Sequence, residues 1–127
     1  MVIDSSGVIH VVFAAQSPYN TSNSSYYQIY YCRSSNGGTS FTSTGSTGGI
    51  SKLNGYDQDY PVIQNCVPGS GSVQLFVVWQ GTSSTYGSST KIFYASNSDN
   101  GINGSASVWA FNPAAALTTG IWGSTYN

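Results

Sequence analysis

Glutamate is missing altogether from this sequence, and arginine occurs once, at Arg33. Only 6% of the 127 residues are charged, against about 25% in an ordinary soluble protein. The whole ionic inventory is Asp4, Arg33, Lys52, Asp57, Asp59, Lys91 and Asp99, with a net charge of -1. Nothing here builds the basic stripe that a nucleic acid needs or the polybasic patch that an anionic membrane needs, which excludes both as partners. No apolar run approaches ~18 residues, so no segment reads as a transmembrane helix. Met1 is followed at once by Val2, Ile3 and Asp4, without the basic and then apolar pattern of a secretory leader. An exported form is expected to have lost its leader or to leave the cell another way, such as inside a virion. Two cysteines, Cys32 and Cys66, are too few for a disulfide scaffold or a zinc site. Cys32 stands in an apolar strand pattern, where an inert buried thiol is expected, and whether the two pair is left open. No cofactor is called for.

What the chain does have is hydrogen-bonding surface without charge. Three Trp, ten Tyr and five Phe stand among Ser, Thr, Asn, Gln and Gly, with 39% hydrophobic residues to form a core. Solubility that rests on hydroxyls and amides points to an extracellular, cell-surface or virion setting. Asn20, Asn23 and Asn103 head N-x-S/T triplets, which arise by chance in so Asn- and Ser-rich a chain and decide nothing.

The periodicity is that of strands. Val8–Ala14 and Val73–Gln80 are apolar runs opened by Ser5-Ser6-Gly7 and Gly69-Ser70-Gly71, and Gln28–Tyr31 and Lys91–Tyr94 are aromatic and β-branched. One Ala-rich stretch, Ala114–Leu117 after Asn112-Pro113, could form a single helical turn. The expected class is all-β. The chain also repeats itself: Val11-Val12-Phe13 matches Val77-Val78-Trp79 at an offset of 66, and Ile29-Tyr30-Tyr31 matches Ile92-Phe93-Tyr94 at an offset of 63. The mismatch of offsets falls in loops of unequal length, as structural repeats allow. A single β domain is expected over 1–127, with one repeat over about 1–58, a second over about 59–120 and a tail at 121–127 that opens no recognisable third repeat.

A turn follows each Ile-aromatic-Tyr strand. The first is Ser34-Ser35-Asn36-Gly37-Gly38-Thr39-Ser40-Phe41; the second is Asn97-Ser98-Asp99-Asn100-Gly101, with its aromatic, Trp109, delayed by an insertion around Gly104-Ser105. An Asp or Asn side chain at the third place is expected to accept backbone N–H groups two or three residues on and close an Asx-type turn, and glycine takes a conformation other residues avoid. The aromatic is expected to return to the core and anchor the turn. The series resembles the Asp-box of sialidase-like β-propellers, with Asn36 in the Asp place, Ser40 in the Thr place and Asn97 in the Ser place. Tyr60-Pro61-Val62-Ile63 and Val2-Ile3-Asp4-Ser5-Ser6-Gly7 open the two repeats in the style of that family.

The resemblance implies antiparallel four-stranded propeller blades, two of them here. It also implies an arginine triad, a Tyr nucleophile activated by Glu, and an Asp acid/base in any active sialidase. One arginine and no glutamate do not supply that set, so no catalytic residue is assigned. Two-carboxylate glycosidase chemistry could draw only on Asp4, Asp57, Asp59 and Asp99. Propellers close with about four to eight blades, so two require a longer parent, self-association with copies of the chain, or packing as a two-sheet sandwich. The function expected is a non-catalytic extracellular or virion-surface module with a structural or glycan-binding role. The alternative is a fragment of a sialidase-like hydrolase whose catalytic residues lie elsewhere. Tyr19, Tyr26, Tyr27 and Tyr86, in the variable loops, are candidates for stacking on sugar or meeting a partner, and Arg33 for a ligand or inter-blade contact. Asp57 and Asp59 could hold a cation or cap a turn, although the plainer reading is a polar linker. His10, within an apolar strand, reads as a structural histidine.

Overall fold

The computed structural model describes residues 1–16, 25–43, 49–51, 55–66, 74–85, 89–97 and 110–111. Its strands are β1 (Val2–Ile3), β2 (Ile9–Gln16), β3 (Tyr27–Ser34), β4 (Thr42–Ser43), β5 (Gln58–Cys66), β6 (Gln74–Gly81), β7 (Lys91–Asn97) and β8 (Ala110–Phe111). No helix occurs among the described residues, so the fold is all-β; Ala114–Leu117 lies outside them. The strands form two antiparallel sheets, each laid out in chain order, β1 to β4 and β5 to β8. β1, β4 and β8 contribute only two-residue pairings.

Local chemistry sets these elements. Between β1 and β2, the Asp4 carboxylate accepts the backbone N–H groups of Ser6 (2.8 Å) and Val8 (2.9 Å), while Gly7 takes a φ of 79° that only glycine adopts freely. β2 then alternates, with His10 and Val12 buried and Phe13 exposed. β3 and β7 run three residues past the aromatic triplets on which they are centred, ending at Ser34 and Asn97. β5 carries a bulge between Asp59 and Val62, where Tyr60 holds a φ of 53° before Pro61.

The repeat extends to the hydrogen-bond register. Val12 faces Tyr31 and Phe13 faces Tyr30 in the first sheet; Val78 faces Tyr94 and Trp79 faces Phe93 in the second. The ends agree as well: Ile9 pairs with Ser34 as Leu75 pairs with Asn97. Cys32 and Arg33 meet Ser43 and Thr42, as Ala95 and Ser96 meet Phe111 and Ala110. β8 stands five places later than the 63-residue offset would put it, which matches the delay expected of Trp109.

The core lies between the sheets and joins Val12, Ile29 and Tyr31 to Ile63, Leu75, Val77, Trp79, Phe93 and Ala95. Burying each large side chain contributes about 1.5–3 kcal/mol. Ile50 completes this core from a connecting segment that carries no strand pattern. Its N–H donates to the Ile29 carbonyl at 2.7 Å, and Ser51 Oγ accepts from Ile29 N–H and donates to the Gln28 side-chain oxygen. Gly49 permits the approach, since a Cβ there would overlap the Ile29 carbonyl oxygen.

Equivalent positions nevertheless face opposite ways. Val12 is buried, but its counterpart Val78 is 37% exposed; Phe13 is 41% exposed, but its counterpart Trp79 is buried. The sheets thus pack with the inner face of the first against the repeat-opposite face of the second.

Candidate functional site

A line of hydrogen-bonded ionisable side chains runs Asp4–His10–Tyr31. Val2 pairs with His10 across the first hairpin, so the turn that follows β1 returns Asp4 beside the imidazole. His10 Nε2 lies 3.2 Å from Asp4 Oδ2, and Nδ1 lies 2.8 Å from the Tyr31 hydroxyl. The consistent proton arrangement has Nε2–H donating to the carboxylate and Nδ1 accepting from the phenol. The Tyr31 ring also stacks on the imidazole, with centroids 6.0 Å apart. Burial pushes the His10 pKa below its ordinary value; the hydrogen bond and charge of Asp4 oppose that shift, and the charge of Arg33 adds to it.

Carboxylate, imidazole and hydroxyl in line could in principle relay a proton. All three side chains are buried, however, and Asp4 Oδ1 already holds two backbone N–H groups of its own turn. Within the packed sheet these bonds satisfy polar groups that the three side chains bury. The partners of His10 were not legible as a motif. The signal was the hairpin: an Asp turn that places residues four and ten side by side.

The Ser34–Phe41 turn is closed by its own side chains. Ser34 Oγ–H donates to Asn36 Oδ1 at 2.8 Å and accepts the Gly38 N–H at 2.9 Å. Asn36 Oδ1 also accepts the Ser40 N–H at 3.0 Å, four residues on and not the two or three expected, and Asn36 Nδ2 donates to Ser40 Oγ at 2.8 Å. Gly37 and Gly38 both adopt positive φ. One expectation is corrected: Phe41 does not return to the core but is 47% exposed. The turn is tied by hydrogen bonds, and the buried side chain at its base is Ser34. In the second turn Asn97 is buried at the end of β7; Asp99, Gly101 and Trp109 lie outside the described residues.

The other candidates are dispersed. Tyr26 and Tyr27 are exposed at the start of β3, and the Tyr27 backbone N–H donates to Asp57 Oδ1 at 2.8 Å. Asp57 is thus a cap that links the two sheets. Asp59 Oδ1 accepts the N–H of Tyr60 at 3.2 Å. No group of three or more His, Cys, Asp or Glu side chains that could hold a metal ion occurs among the described residues. Arg33 is half-buried, paired in register with His10. Tyr19 and Tyr86 lie outside the described residues. Cys32 and Cys66 are free thiols, the first half-buried and not buried as expected, the second exposed; burial pushes the Cys32 pKa up, which disfavours its thiolate. Comparison with protein-family models, curated proteins and solved structures gives no match.

Proposed function

We propose that this chain is a non-catalytic structural module whose two repeats are blade units of the sialidase-like propeller type, acting outside the cell or at a cell or virion surface. The observation that carries the reading is the shared register of the two sheets, strand pair by strand pair, combined with stacking on repeat-opposite faces. A unit that packs on its own copy in this way serves assembly. The carboxylates fit the same reading: Asp4 closes a turn and braces His10, Asp57 caps β3, and Asp59 caps Tyr60.

A glycan-binding role is the second reading, favoured by exposed Tyr26 and Tyr27 beside Asp57, a combination of aromatic faces and an acceptor that suits a sugar. The rival from another class is a hydrolase fragment whose catalytic residues lie in other blades. The mass of the native polypeptide separates these. A native chain of 13.4 kDa supports the stand-alone module, and a parent several times longer overturns it. A glycan array that stays flat while the protein forms a stable assembly leaves the structural role; saturable binding lost in Tyr27→Ala establishes the glycan role.

A further inference from the structure

We infer that a second copy of this chain docks head to tail on the first, the outer face of the first sheet in one copy meeting the outer face of the second sheet in the other. The inference rests on the repeat reading above and not on whether the module is catalytic.

One such interface already exists inside the chain. There the first sheet presents Val12, Ile29 and Tyr31, and the second presents Val77, Trp79 and Phe93. Applying the repeat offsets to the first set gives Val78, Ile92 and Tyr94, on the outer face of the second sheet. Applying them in reverse to the second set gives Val11, Phe13 and Tyr30, on the outer face of the first. The two outer faces therefore carry the residue series of the two halves of the same interface.

Their chemistry agrees with the correspondence. Phe13 and Tyr30 stack with centroids 5.9 Å apart and planes at 25°. Trp79 and Phe93, their counterparts at the centre of the core, stack at 6.1 Å and 27°. The same aromatic pair is thus built twice, once covered and once with Phe13 facing solvent. Tyr30 itself is 8% exposed, so Phe13 is the member of this pair that reaches solvent. On the other side, Val62, Val78 and Tyr94 lie side by side across β5, β6 and β7, with Val62 66% exposed. Neither row contains a charge; Asp59, paired with Gln80, stands at the margin of the second. A stack of this kind is heterologous: it continues from copy to copy until the rotation closes a ring.

The test uses the full chain and two outer-face variants, Phe13→Lys and Val78→Lys, read by size-exclusion chromatography with light scattering. Neither position is in the core, and circular dichroism with a cooperative melt checks that each variant folds. The expected result is a native mass that is a multiple of 13.4 kDa, falling to 13.4 kDa in either variant alone. Mixing the two variants restores a dimer and nothing larger, because each retains the face that the other has lost. A wild-type monomer at high micromolar concentration overturns the inference, whether the faces stay bare or are covered by residues 112–127 of the same chain. Loss of assembly in only one variant also overturns it, since that outcome means like face on like face. Hydrolysis of a sialoside by the chain would sink the non-catalytic reading and leave these masses unchanged.

Discussion

Gln28 of β3 and Gln58 of β5 donate their side-chain amides to one acceptor, the carbonyl of Tyr56, at 2.9 and 3.3 Å. The first belongs to one sheet and the second to the other, so a single peptide group ties the two at the edge of the core. Gln58 goes further: it donates to the Thr82 carbonyl and accepts the Trp79 indole N–H, each at 2.9 Å. A buried amide that satisfies three partners is worth more as a network than as separate bonds.

Replacing Gln58 by Leu keeps the volume and strands the Trp79 N–H and two carbonyls, at a cost of about 3 kcal/mol. Gly81→Ala acts on the same network from the other side. A Cβ at Gly81 would overlap the Gln58 side-chain oxygen and come within 2.9 Å of the Asp57 carbonyl. A loss of about 1–3 kcal/mol is expected there. Urea melts followed by Trp fluorescence measure both. If Gln58→Leu unfolds at the wild-type midpoint, the network is not what joins the sheets.

Asn36 offers a test of how the first turn is closed. Asn36→Ala removes the acceptor of two bonds and the donor of a third, a loss of about 1–2 kcal/mol. Asn36→Asp keeps the acceptor, and the Ser40 hydroxyl can turn to donate to the carboxylate in place of accepting. The Asp variant is therefore expected to melt within a few degrees of wild type and the Ala variant clearly below it. Equal losses in the two would mean that the amide donor, not the acceptor, holds the turn.

His10 should make stability depend on pH. In the folded chain burial holds its pKa below the ordinary value of about 6.5, whereas in the unfolded chain it titrates normally. As the pH falls through 6.5 the unfolded state takes up a proton that the folded state refuses, so stability falls. The contribution is fully present above pH 6.5 and is lost progressively toward the lower folded pKa. Wild-type Tm is expected to drop between pH 7.5 and 5.0. His10→Gln, which can still donate to Asp4 and accept from Tyr31, should start lower and change less. Parallel declines in the two proteins would assign the pH effect to other groups.

The strands and their repetition were legible in the sequence because strand cores are written in residue type: Val-Val-aromatic and Ile-aromatic-Tyr survive where loops do not. Which face each strand buries was not legible. Val12 and Val78 are the same residue in the same register, and only the neighbouring sheet decides that one is covered. Ile50 was missed for a related reason, since it enters the core from a Gly-rich connection with no periodicity to announce it. That Asn36 closes its turn was readable, because such a turn is a local device; that its side chain reaches four residues on to Ser40, and that Ser34 takes the Gly38 N–H, was not. The fate of Phe41 was not readable either, because it depends on what stands across from the turn.

Tyr60 carries the last expectation. Its φ of 53° puts a residue with a Cβ in the left-handed region, which costs about 1–2 kcal/mol. Its side chain is 71% exposed, so little packing offsets that strain. The bulge between Asp59 and Val62 requires the conformation whatever residue occupies it. Glycine there would remove the strain but also widen the unfolded ensemble, giving back about 0.4–1 kcal/mol. The expected net gain for Tyr60→Gly is about 0.5–1 kcal/mol, a rise in Tm on the order of 2–5 °C. Tyr60→Ala separates this cause from the loss of the ring. Alanine keeps the Cβ, so its Tm should stay near wild type. A fall in Tm for both variants would show that the tyrosine ring stabilises the bulge despite its exposure, and a rise for both would place the cost in the ring and not in the backbone.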